Sequence, residues 1–143
     1  MLQDHSDEDY IRSLDIDTAK IAAIRHTEGP LLIIAGPGSG KTKTLVEKVV
    51  YLLVFKDVKP ENIMVSTFTE KAARELISRI SDRLIQLGNT TNVNDLNIGT
   101  LHSIFLSLLE DNREHTTLNK NYRILDSFDL QYLIYKHIRL FDE

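Results

Sequence analysis

The sequence predicts an α/β fold, a parallel sheet flanked by helices. Two observations predict it. After residue 30, short apolar runs alternate with longer stretches of helical period, the order of elements that builds a parallel sheet. Between the first such run and the first such helix lies "AGPGSGKT", residues 35–42, a glycine-rich turn from strand to helix.

The elements follow in order. Residues 1–13 are acidic and read as a solvated, flexible lead-in. Asp17 is placed to cap a short helix over "TAKIAAIRH", which "EGP" at 28–30 ends. "LLIIA" at 31–35 is a continuous apolar run bounded by Pro and Gly, the pattern of a buried strand. A helix opens near Gly40 and runs through "KTKTLVEKVVYLLVF", with Leu45, Val49 and Leu52 on one face and Val46, Val50 and Leu53 beside it. "KDVKPEN" is a polar turn and "IMVST", 63–67, a second strand. Thr69 caps the helix "EKAARELISRISDRLIQL", whose Ala73, Leu76, Ile77, Ile80, Leu84 and Leu87 keep helical spacing, and Gly88 stops it. "LNIGT" is a third strand, "LHSIFLSLLED" a third helix, and a polar loop over 112–121 leads to "YRILD" and a last helix, "SFDLQYLIYKHIRLF". That apolar helical pattern carries no stop signal, as in the front of a longer chain.

A chain of 143 residues, 42% hydrophobic, suffices for one core. It has no cysteine, which excludes disulfides and thiolate metal sites and suits a reducing cytoplasm. The longest apolar runs are far too short to span a bilayer, and the acidic N-terminus is no secretory signal. Net charge is −4, but residues 1–30 hold seven acids and three bases while the remainder is neutral. Binding of nucleic acid by net charge alone is therefore excluded; any contact needs a local groove.

The turn at 35–42 carries the clearest chemistry. It matches the P-loop pattern, with Ala35 where glycine is also common. Gly36, Gly38 and Gly40, with Pro37 and Ser39 between them, let the backbone curl and aim its N–H groups inward. With the positive end of the next helix, these donors form an anion site. Lys41 can reach the β and γ phosphates of a nucleoside triphosphate, and the Thr42 hydroxyl can ligate Mg²⁺. Those roles make Lys41 and Thr42 the candidate catalytic pair. The motif does not say what hydrolysis would drive, because kinases, GTPases and motors share it.

Three further stretches narrow the class. "VSTFTEKAARELISRI", "IGTLHSIFLSLL" and "YRILDSFDLQYL" resemble, in order and spacing, the N-terminal half of UvrD/Rep-type superfamily 1 DNA helicases, from about residue 14 to the end. "TFTEKAA" fits that family's Thr-Phe-Thr-x-Lys-Ala-Ala element, and "GTLHS" its Gly-Thr-Phe-His-Ser element with Leu101 in the aromatic place. "ILDSFD" resembles the start of its inserted helical subdomain, with Leu130 where glutamine is frequent. The resemblance implies a P-loop NTPase (RecA-like) domain over 14–111, incomplete, and the start of a helical insertion over 112–143. It implies ATP and Mg²⁺ as cofactors, single-stranded DNA as partner, a second motor domain in the remainder of the same chain, and no membrane. It adds Lys43, the basic residue after the phosphate loop, to the nucleotide contacts. Phe68 would stack on a base; Thr67, Thr69 and Thr100 would offer hydroxyls to phosphate or sugar, with Lys71 and His102 on the same side.

Each of these residues has a plainer reading. Phe68 can be a buried aromatic and His102 a hydrogen-bonded structural histidine. Lys71, Arg74, Arg79 and Arg83 alternate with Glu70, Glu75 and Asp82, as a solvated helix face does. The sequence also departs from the family. The stretch before the first strand, "IDTAKIAAI", has Lys20 where the family has an adenine-reading glutamine, and lysine offers only donors. No apolar strand ends in the Asp-Glu pair that family members use for hydrolysis; "LLEDN" is helical in context and "LFDE" follows a helix. The chain alone is therefore expected to be inactive, as part of an ATP-dependent DNA helicase. Two other classes stay open: another P-loop enzyme such as a small-molecule kinase, and a non-catalytic, nucleotide-controlled interaction module.

Overall fold

A computed structural model describes residues 6–117, 122 and 124–138. The chain divides into two compact units, Met1–Ser107 and Leu108–Glu143. The first contains helices α1 (Asp7–Ser13), α2 (Thr18–Arg25), α3 (Lys41–Phe55) and α4 (Glu70–Gln86), strands β1 (Met64–Thr67) and β2 (Asn97–Thr100), and the opening of α5 (Leu101–Asp111).

The architecture is α/β, with a parallel two-stranded sheet flanked by helices. β1 and β2 pair with Val65 opposite Ile98 and Thr67 opposite Thr100, and α4 is the crossover between them. Local chemistry explains the helix boundaries. Asp17 caps α2 by accepting from Lys20 N, and Thr69 caps α4 by accepting from Ala72 N. α4 ends in a left-handed Gly88 at φ 67°; Gly88 N donates to Ile85 O and Asn89 N to Leu84 O, which satisfies two orphan carbonyls. Ala73, Leu76, Ile80 and Leu84 form its buried stripe. On α3 the core face is Val46, Val49, Val50 and Leu53, rotated from the expected one, so that Leu45 is exposed.

Two expectations are corrected. Residues 7–13 are not a solvated lead-in but α1, whose Tyr10 and Ile11 are buried with Leu14 in the main core. Tyr10 packs on Phe55 at 4.7 Å between ring centroids, and the Asp7 carboxylate accepts from the Tyr51 hydroxyl at 2.8 Å. The acidic composition concealed a helix with one apolar face.

The second correction concerns "LLIIA". Residues 31–36 take part in no ladder, and the run is not buried: Leu31, Leu32, Ile33 and Ile34 are 43, 82, 47 and 88% exposed. Exposure alternates with the two-residue period of a strand, but no strand lies beside it. β1 and β2 pair only with each other, and the backbone donors and acceptors of 31–35 join neither of their free edges.

In the second unit, the Tyr122 hydroxyl donates to Glu110 at 2.5 Å and the Arg113 guanidinium lies over the Tyr122 ring. α6 (Ser127–Lys136) starts at Asp126, which accepts from Asp129 N, and buries none of its residues. The expected extension of this helix over 139–141, and "LFDE", lie outside the described residues.

Candidate functional site

The glycine-rich turn folds because two of its residues adopt backbone conformations that side chains resist. Gly38 and Gly40 have φ of 75° and 86°. Ser39 Oγ donates to Gly36 O at 2.8 Å and closes the turn. Gly40 then caps α3, which leaves the first-turn N–H groups and the positive end of the helix dipole facing the turn. Thr44, buried one turn on, donates its hydroxyl to Gly40 O and holds that end in place.

Within the loop the Lys41 ammonium donates to Ala35 O at 2.9 Å and Gly36 O at 2.6 Å. Two carbonyl oxygens thus occupy a cation that phosphate oxygens would satisfy better, since an ionised acceptor makes the stronger bond. Thr42 is exposed, and its hydroxyl has no partner among the described residues.

A cleft of about 240 Å³ opens beside the loop, lined by Asp17, Lys20, Ala23, Ile33, Ser39 and Lys41 among others. Lys20 reaches it from α2: a Cβ placed on Gly40 would lie 3.7 Å from Lys20 Cε. Asp17 accepts from both Lys20 N, at 2.9 Å, and Lys20 Nζ, at 2.5 Å. The Lys20 ammonium, and then its backbone N–H, hold the Asp17 carboxyl below its usual range.

Of the expected nucleotide contacts, Lys20, Ala35, Ser39 and Lys41 line this cleft, and Gly36, Pro37, Gly38, Gly40, Thr42 and Lys43 do not. Lys43 Nζ donates instead to Leu14 O at 3.2 Å, tying the end of α1 to the start of α3. Lys48 likewise ties elements together. It donates to Ala23 O and His26 O at the C-terminal end of α2, and burial pulls its ammonium below the ordinary range.

The residues expected to meet DNA gather elsewhere in this unit. The parallel register sets Thr67 beside Thr100, so the segments following both strands emerge together. Ser66, Thr67, Phe68, Thr100, Leu101 and His102 line an open pocket of about 420 Å³. Phe68 is fully exposed, which removes the reading of a buried aromatic, and His102 is exposed as well. The hydroxyls are engaged locally. Thr67 donates to Thr69 O at 3.0 Å, while Thr69 Oγ1 accepts from Ala72 N at the α4 cap. Thr100 Oγ1 donates to Glu70 at 2.9 Å and accepts from Ser103 N. Lys71 is exposed but does not line the pocket.

Arg79 pairs with Glu75 one turn earlier on α4, as a solvated face does. Arg83 does not: its Nε donates to the buried Glu47 at 3.1 Å, and Glu47 also receives the Tyr10 hydroxyl. This junction of α1, α3 and α4 was absent from the sequence expectations. Its signal was a glutamate set between Val46 and Val49 in the apolar stripe of α3. Burial first, then the hydrogen bond and charge of Glu47, push the Tyr10 phenol far above its ordinary value.

Among the described residues no group of three or more His, Asp or Glu side chains could hold a metal ion, and no helix is long and apolar enough to cross a membrane.

Residues 16–143 match the model of the UvrD/REP helicase N-terminal domain. The chain is 39% identical over 132 residues to a probable DNA helicase II homolog of Rickettsia conorii, covering 92% of this chain and 19% of that protein. It is 40% identical over 107 residues to the ATP-dependent DNA helicase PcrA of Bacillus subtilis, covering 75% of this chain and 14% of that one. With PcrA of Staphylococcus aureus the identity is 39% over 119 residues, 83% of this chain and 16% of the relative. The chain thus spans a fifth or less of the length of these relatives.

Proposed function

The chain belongs to the UvrD/REP helicase N-terminal domain family, and on that footing we propose that it is the nucleotide-binding part of an ATP-dependent, single-stranded-DNA translocase or helicase. The observation that carries this reading is the coexistence, in one unit, of a phosphate loop with a glycine-capped helix and a strand-end pocket edged by a fully exposed phenylalanine.

In the nucleotide site, triphosphate oxygens replace the two carbonyls on Lys41, and the N–H groups at the start of α3 take the remaining charge. The residues fit a share of a Mg²⁺ shell: Thr42 offers an exposed hydroxyl with no partner among the described residues, and phosphate oxygens and water would supply the other ligands of this hard cation. When bound, Mg²⁺ neutralises charge on the phosphates. The RecA-like fold belongs to the same proposal, with the unpaired run 31–35 as a strand of a larger sheet.

At the strand ends Phe68 supplies a face on which any base stacks, so contact does not depend on sequence. Thr67, Thr69, Thr100, Lys71 and His102 stand around it for phosphate and sugar. Alternate opening and closing against a second motor domain would carry the strand past these contacts.

The test is hydrolysis of ATP by the full-length protein with and without single-stranded DNA. DNA should stimulate it, and Lys41→Ala should abolish it. Hydrolysis indifferent to single-stranded DNA would refute the translocase reading.

A further inference from the structure

We propose that Lys20 is a second phosphate-binding cation of the nucleotide cleft, tethered by Asp17, so that this position adds charge to the polyphosphate site instead of reading the base. The inference rests on the nucleotide-site reading above and assigns Lys20 a different role within it from the base-edge role implied by its place in the sequence.

The geometry points to the phosphates. A Cβ on Gly40 would lie 3.7 Å from Lys20 Cε and 4.0 Å from Lys20 Nζ. Gly40 opens α3, so the ammonium stands at the mouth of the N–H array that receives anions. The side chains of Lys20 and Lys41 line the same cleft.

Charge explains why the arrangement suits an anion. Two ammonium groups beside the positive end of a helix repel each other and the dipole. Asp17 offsets this for Lys20, and Ala35 O and Gly36 O do so for Lys41. Each cation is therefore held in place by a partner that a polyphosphate can supplement or replace. Asp17 also caps α2 through Lys20 N, which fixes the tether to the helix start.

The chemistry of the side chain agrees. An ammonium has three donors and no acceptor. An adenine edge presents a donor beside an acceptor and is only half met by it, whereas phosphate oxygens are acceptors throughout and can use every donor. Held beside Gly40, a lysine here gains affinity from the phosphates it reaches.

The experiment measures binding of inorganic tripolyphosphate, ATP and GTP to the full-length protein and to Lys20→Gln, Lys20→Arg and Lys41→Ala. Lys20→Gln should weaken all three ligands by about tenfold, as loss of a charge-assisted hydrogen bond does. Lys20→Arg, which brings in no amide, should keep the parent's ratio of ATP to GTP affinity and most of the tripolyphosphate binding. Unchanged tripolyphosphate binding in Lys20→Gln would overturn the proposal. Lys41→Ala separates the two levels. If it abolishes tripolyphosphate binding while Lys20→Gln does nothing, only the role of Lys20 falls. If Lys41→Ala has no effect either, the nucleotide site itself is refuted.

Discussion

The Tyr10 hydroxyl donates to Glu47 Oε2 at 2.5 Å, and this buried contact joins the Tyr51–Asp7 and Lys43–Leu14 bonds in fastening the N-terminal helix α1 to α3. The same oxygen accepts from Arg83 on α4, whose guanidinium also lies over the Tyr10 ring. Three helices therefore meet on one buried carboxylate. Tyr10→Phe should cost about 1 kcal/mol, the usual net worth of one hydrogen bond. Glu47→Ala should cost about 3 kcal/mol, because it removes the buried carboxylate that the Arg83 guanidinium and the Tyr10 phenol share. Equilibrium denaturation of the two variants checks the order; equal losses would show that Arg83 finds another acceptor.

The same contact sets a limit at high pH. The Tyr10 phenol is pushed up in the folded protein by burial and by Glu47. Its stabilising effect is complete below about pH 10, where the unfolded phenol starts to ionise, and declines as pH rises toward the folded value. Stability should therefore fall progressively from about pH 10 upward, and Tyr10→Phe should flatten that drop. A drop of equal slope in Tyr10→Phe would assign it to other groups.

Gly99 serves packing, not backbone freedom. A Cβ there would run into Ser103 Oγ, which donates to Thr100 O at 2.9 Å. Gly99→Ala should destabilise by about 1–3 kcal/mol through overpacking. Adding Ser103→Ala removes the clashing atom and should restore most of the loss, since the next contacts lie at 3.6 Å. Thermal unfolding of the single and double variants checks this; no recovery would mean the strand itself rejects the methyl group.

At the strand ends, Phe68→Ala should weaken single-stranded DNA binding about tenfold, the worth of one stacked base, while Phe68→Trp keeps it. Glu70→Gln should act the other way. It removes the negative charge that accepts from Thr100 and loosens its hold on that hydroxyl, so DNA affinity should rise severalfold at low salt. Fluorescence anisotropy with a labelled oligonucleotide measures both. A weaker Glu70→Gln would mean that Glu70 positions Thr100 and does not repel phosphate.

Much of the fold was legible in the sequence because its signals are local. Asp17, Thr69 and Gly88 act within four residues of themselves, and they mark helix ends where expected. "AGPGSGKT" is equally local, so its turn and the start of α3 were readable. What was not legible depends on partners far along the chain. Apolar residues 31–34 look like a strand by composition, but pairing needs a neighbour the run cannot specify. Tyr10 meets Glu47, 37 positions away, and Asp7 meets Tyr51, 44 away; such distant contacts turn an acidic lead-in into a core helix. Within the candidate site, the family resemblance grouped Thr67, Phe68, Thr100 and His102, which line one pocket, and placed Lys43 with nucleotide contacts that its bond to Leu14 does not favour.

The alternating exposure of residues 31–34 has a consequence for biosynthesis. A run with two greasy faces and an open backbone edge invites pairing with whatever strand reaches it first. Any chain that presents it bare, a nascent polypeptide or an excised piece, offers a sticky ribbon next to its phosphate loop. Such a ribbon is a natural foothold for a chaperone and, without one, a seed for aggregates.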